Sequence, residues 1–114
     1  MAEYLVLIYE DERRYAEATP ETFAAVMAAH EEFGKKHAGA IRGGNALQPT
    51  GTATKIVRDG AEAVVTDGPF AETKEALGGF YLIEAADIDE ALAIAKDVPA
   101  GFGGVELRPI MTFE

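Results

Sequence analysis

An α+β fold, with two helices returning to one face of a mostly antiparallel sheet, is predicted for this chain by three observations. Two stretches, 20–37 and 87–98, carry helical spacing of apolar residues between recognisable end signals. Four separate runs rich in β-branched and aromatic residues read as strands around them. Between the second and the last two of those runs, Asp59-Gly60 interrupts a further pair of strand-like segments, the signature of an inserted hairpin.

The first run, Tyr4 to Tyr9, is a short apolar stretch that enters the charged segment Glu10 to Arg14, as a buried strand entering a solvated loop. Thr19-Pro20-Glu21 then supplies an N-cap, a first-turn proline and an acidic residue at the positive helix end, with Lys35 and Lys36 near the other end. The apolar stripe of this helix is Phe23, Val26, Met27 and Phe33, and the same spacing places His30 and His37 along it. A weaker strand begins at Ala40-Ile41 and runs to Leu47; Gly43-Gly44 predicts a bulge or a close backbone approach within it.

Thr52 to Arg58 and Ala61 to Thr66 flank Asp59-Gly60, which predicts a type I′ turn. Leu77 to Glu84 is the next strand. Asp87 and Glu90 have capping-box spacing at the start of the second helix, whose apolar face is Ile88, Ala91, Leu92 and Ala95, and Pro99 blocks its extension. After the glycine-rich Ala100 to Gly104, Val105 to Phe113 closes as a strand. The order matches the split βαβ, ferredoxin-like arrangement with a hairpin inserted in its middle, within one domain spanning 1–114.

Composition narrows the function. Twenty acidic against ten basic residues give a net charge of −10, which repels nucleic-acid backbones and anionic membranes. A hydrophobic content of 48% argues against disorder. There is no cysteine, so disulfides, thiolate metal sites and cysteine nucleophiles are excluded and a cytoplasmic location is expected. No apolar run reaches membrane-spanning length, and the first residues lack a signal-peptide pattern. No serine is present, which removes serine nucleophiles. Two histidines seven residues apart with scattered carboxylates make no metal-ligand pattern, and Gly101-Phe102-Gly103-Gly104 precedes a strand rather than opening a phosphate-binding helix. Neither a metal nor another cofactor is expected.

The densest polar specification lies in Thr66-Asp67-Gly68-Pro69-Phe70-Ala71-Glu72-Thr73-Lys74-Glu75. As a turn, Asp67 accepts backbone amides while Gly68 and Pro69 set the neighbouring φ angles; as a site, the same turn presents Asp67 and Lys74 on a rigid scaffold, and the two readings are compatible. His30 is either a packed, hydrogen-bonded residue of the helix face or one half of an acid–base unit. In the last strand Glu106 and Arg108 share a face, as an interface ion pair or as part of a polar cavity in which Arg108 clamps a carboxylate or phosphate. Tyr81 adds a hydroxyl to that same face, or packs.

The run Val64 to Glu84, with Asp89-Glu90-Ala91 and Val105 to Pro109, resembles the DGPF group of YCII-related proteins over essentially the whole chain. The resemblance implies a dimeric α+β barrel, in which two ferredoxin-like sheets face each other and leave a pocket against each. It also implies a His–Asp acid–base dyad, which falls here on His30 and Asp67. The reading is a homodimeric protein that holds a small polar organic molecule and acts on it by cofactor-free proton transfer, with Asp67 orienting His30 and Arg108 and Lys74 stabilising negative charge, and with Glu106 and Tyr81 beside the substrate. The alternative is a non-catalytic ligand-binding or regulatory module with a protein partner such as a transcription sigma factor.

Overall fold

The computed structural model describes residues 1–113. Its elements are β1 (Ala2–Asp11), α1 (Glu12–Ala16), α2 (Pro20–Lys36), β2 (Ile41–Ala46), a 3-10 turn (Thr50–Thr52), β3 (Thr54–Asp59), β4 (Glu62–Asp67), β5 (Glu75–Ala85), α3 (Ile88–Ala95) and β6 (Gly103–Pro109). Four strands form one antiparallel sheet in the order β2-β5-β1-β6, while β3 and β4, among the described residues, pair only with each other. This is the ferredoxin-like order, with the hairpin inserted between β2 and β5.

Strand alternation divides the sheet into two unlike faces. Tyr4, Val6 and Ile8 of β1 and Ile83 and Ala85 of β5 are buried on the helix side, together with Phe33 of α2 and Ala91, Ile94 and Ala95 of α3. The opposite face carries Leu5, Leu7, Tyr9, Phe80 and Leu82, all half-buried and, among the described residues, covered by no helix. Leu5 sits between Leu82 and Arg108, and Leu7 between Phe80 and Glu106.

The helix ends are capped as their residues predict. Thr19 Oγ1 accepts the Thr22 N–H at 3.1 Å, and Asp87 Oδ1 accepts the Glu90 N–H at 2.9 Å. At the far end of α2, His37 Nε2 lies 2.8 Å and Lys36 Nζ 3.0 Å from Asp97 Oδ2, joining the C-terminal ends of both long helices. These two partners, His37 first, hold the Asp97 carboxyl below its ordinary pKa.

Several local expectations need correction. Within the segment Glu10 to Arg14, read as a solvated loop, Glu12 opens the helical turn α1 because the Asp11 carboxylate accepts the Arg13 and Arg14 amides. The hairpin loop is Gly60-Ala61 rather than Asp59-Gly60, since Asp59 pairs with Glu62. Gly60 has φ +63° and, among the described residues, no non-glycine residue has positive φ, the pattern of a type II′ turn instead of type I′. The buried face of α3 is Ala91, Ile94 and Ala95, continued by Val98, while Ile88 and Leu92 are exposed. The last strand ends at Pro109 and begins earlier, at Gly103. The predicted irregularity in β2 is present: its register against β5 shifts between Ile41 and Gly43, and a side chain at Gly44 would come within 2.8 Å of the Phe80 carbonyl oxygen.

Candidate functional site

Only the C-terminal half of α2 docks on the sheet. Phe33 is 3% exposed, with its ring 4.8 Å from that of Tyr81. One to three turns earlier Phe23 and Met27 are 46% and 53% exposed, so the predicted stripe continues past the packed core. Beneath that overhang lies a cavity of about 540 Å³, walled by Tyr15 on α1, Val26, Met27 and His30 on α2, Asn45 to Pro49 at and beyond the end of β2, and Ile8, Glu10 and Tyr81 on the sheet.

His30 is half-buried at the cavity wall, where its Nδ1 lies 2.7 Å from the Tyr81 hydroxyl. The bond joins α2 to β5. Burial lowers the imidazole pKa below its ordinary value, partly opposed by the negative charge of Glu10, and burial also raises the Tyr81 phenol. Both shifts favour the neutral form of each group, and one hydrogen bond joins the two. Glu10 is fixed by the Phe102 N–H, which donates to its Oε2 at 3.2 Å. Glu12 accepts both the Thr50 N–H and the Thr50 hydroxyl at 2.9 Å, which ties α1 to the 3-10 turn.

A second, more polar cleft of about 660 Å³ adjoins the first through Glu12 and Ala76, which line both. Gly68, Pro69 and Ala71 to Lys74 line it together with Asp11, Arg13 and Thr50. Gly68 has φ +102°, so the turn needs glycine there, and its N–H donates to the Ala53 carbonyl at 2.8 Å.

These positions separate residues that the sequence reading and the family resemblance grouped. Asp67 is the last residue of β4, paired with Thr54 and exposed, and no hydrogen bond joins it to His30 among the described residues. His30 has Tyr81 as its partner instead. Lys74 lines the polar cleft and not the His30 cavity. Glu106 and Arg108 pair at 3.3 Å on the face without helices. Tyr81 belongs to the opposite face, because it pairs with Val6 and Val6 pairs with Leu107, whereas Arg108 stands opposite Leu5. The expectation that Tyr81 and Arg108 share a face is thus wrong. Alternation sets the phase within each strand, but the phase between strands depends on their register.

Sequence reasoning missed Glu10 and Glu12 as cavity residues. Glu10 had a signal: in a strand where Tyr4, Val6 and Ile8 point inward, position 10 shares their face. Glu12 had none, being outside the strand. No group of three or more His, Asp or Glu residues that could hold a metal ion occurs among the described residues. Among them, too, no helix is long and apolar enough to cross a membrane.

Comparison with known proteins agrees with this architecture. The model of the YCII-related domain matches residues 2–114. The chain belongs to the YCII-related family. It is also 38% identical over 116 residues to an uncharacterised protein of Rhizobium meliloti (strain 1021), an alignment covering 97% of this chain and 94% of that protein. The family membership covers the sheet, both long helices and the inserted hairpin alike.

Proposed function

We propose that this YCII-related protein binds a small organic molecule in the cavity beside His30 and transfers a proton to or from it through the His30–Tyr81 pair. The observation that carries this reading is a 2.7 Å bond between two titratable side chains at the wall of a cavity of ligand size. With Nδ1–H donated to the phenol oxygen, Nε2 keeps a lone pair to act as base and the Tyr81 O–H is free to be donated to the ligand. With the phenol donating to Nδ1 instead, the Tyr81 oxygen accepts a proton from the ligand as its own proton passes to Nδ1. Asp67 and Lys74 belong to the neighbouring cleft wall and turn in this reading, where they shape access.

A homodimer fits the sheet face that carries Leu5, Leu7, Tyr9, Phe80 and Leu82, since a contiguous apolar face of this kind is ordinarily covered by a partner. The cysteine-free composition suits the cytoplasm.

The substrate need not be identified before the test. A library of small organic molecules is titrated while the His30 and Tyr81 side-chain resonances are followed by NMR, and each binder is then incubated with the protein in D₂O. Deuterium entering a carbon position of a binder, and lost in His30→Gln, supports proton transfer. Binding without exchange supports the rival role of a ligand-responsive regulatory module, and binders that leave both resonances unmoved overturn the assignment of the site.

A further inference from the structure

The cavity beside His30 is electrically one-sided. Glu10 and Glu12 line it, and among the described residues no Lys or Arg does, although the chain holds ten of them. Neither carboxylate is neutralised by an ion pair: the described salt bridges involve other residues, and the partners of Glu10 and Glu12 are the uncharged Phe102 amide and the Thr50 amide and hydroxyl. Those bonds orient the two groups without cancelling their charge. Apart from His30 and the amides Asn45 and Gln48, the remaining walls are apolar or aromatic, with Tyr15, Val26, Met27 and Leu47 among them. The neighbouring cleft, by contrast, carries Arg13 and Lys74 beside its three carboxylates, Asp11, Glu12 and Glu72.

An anion entering the His30 cavity would meet two like charges with no compensating cation, across walls that screen poorly. A cation would meet two attractive charges and aromatic ring faces, which also favour positive charge. We propose that the ligand of this cavity is an organic cation, an amine joined to an apolar body. The inference rests on the proposed function and sharpens it by naming the class of molecule that the site selects. It also redirects the chemistry away from stabilising a developing negative charge by a fixed cation, since no Lys or Arg among the described residues lines the site.

The test uses three probes with one apolar body: 2-phenylethylammonium, 2-phenylethanol and 3-phenylpropanoate. Each is titrated into the full chain at low salt while the His30 and Tyr81 side-chain resonances are followed. The cation is expected to bind at least about tenfold more tightly than the alcohol, and the anion more weakly than either. Replacing both carboxylates, in Glu10→Gln with Glu12→Gln, should bring cation and alcohol together, and either single variant should do so part-way, with retained fold checked by the unfolding midpoint. If the alcohol or the anion matches the cation, or if the cation preference survives in the folded double variant, the charge assignment is overturned while the cavity remains a binding site. If none of the three probes moves His30 or Tyr81, the cavity itself is not the site, and both proposals fall.

Discussion

His30 on α2 and Tyr81 on β5, separated by 51 positions in the chain, meet with Nδ1 and hydroxyl oxygen 2.7 Å apart. The contact is reinforced from one side by Phe33, whose ring lies 4.8 Å from Tyr81. A packed apolar ring behind the phenol holds it at the cavity wall, so the polar pair faces a defined space instead of bulk water.

Tyr81→Phe removes the hydroxyl while keeping the ring that Phe33 packs against. The loss of one half-buried hydrogen bond is expected to lower stability by about 1 kcal/mol. Urea unfolding measures this, and an unchanged midpoint would show that the bond contributes nothing net. Nitrogen NMR of His30 in the same variant reports whether the tautomer, no longer set by the phenol, becomes mixed.

Glu10→Gln should lower the His30 pKa further, because the Glu10 carboxylate opposes the effect of burial. Asp67→Asn should leave the His30 titration where it is, since Asp67 is not bonded to His30 within the chain. A clear fall on Asp67→Asn would mean that an Asp67 carboxylate reaches the ring after all, supplied across a dimer.

The same lowered pKa makes stability depend on pH. Between the folded-state pKa and the unfolded value of about 6.5, the unfolded chain binds a proton at this ring that the native chain does not. His30 therefore costs the native state nothing above about pH 6.5, and stability falls as the pH drops from there toward the folded pKa. Urea midpoints taken across that window should decline less steeply in His30→Gln than in the wild type. Equal slopes would mean that the buried imidazole titrates alike in both states.

Gly103→Ala is expected to be strongly destabilising. A Cβ there would overlap the Tyr9 carbonyl oxygen and lie 2.7 Å from Glu75 Oε2 and 2.9 Å from the Glu10 Cα, at the pairing of β6 with β1. Relieving the overlap requires the strand to move, at a cost of about 3 kcal/mol. Gly104→Ala is the control, since nothing lies within 4 Å of its Cβ, and it should change stability by less than about 0.5 kcal/mol. Thermal or urea unfolding of the two variants decides this, and similar effects at both positions would refute the close approach.

Leu7→Lys places a charge between Phe80 and Glu106 on the sheet face without helices. If a second copy covers that face, sedimentation at micromolar concentration should find a dimer in the wild type and a monomer in the variant. A wild-type monomer would remove the proposed dimer.

The local grammar of the chain carried much of the fold. Thr19-Pro20 and Asp87 start α2 and α3 because a side-chain oxygen satisfies orphan amides within the same turn, an interaction that needs no tertiary contact. The alternating and periodic apolar runs likewise specified the four sheet strands and the inserted hairpin, and Gly43-Gly44 marked the bulge. Short capped turns were harder: α1 has five residues, too few for a periodic pattern to stand out.

The site was legible less completely, for a different reason. His30 stood out as an inward-facing histidine, and the turn at Gly68 as one requiring glycine. Which residue His30 meets, and which face Tyr81 shares, depend on the register of strands far apart in the chain and on where α2 crosses the sheet. Within a strand the two-residue repeat is a property of the backbone, but the relative phase of two strands is set by how they pair. Only the assembled sheet placed Tyr81 beside His30, put Arg108 on the other face, and brought Glu10 and Glu12 to the same cavity.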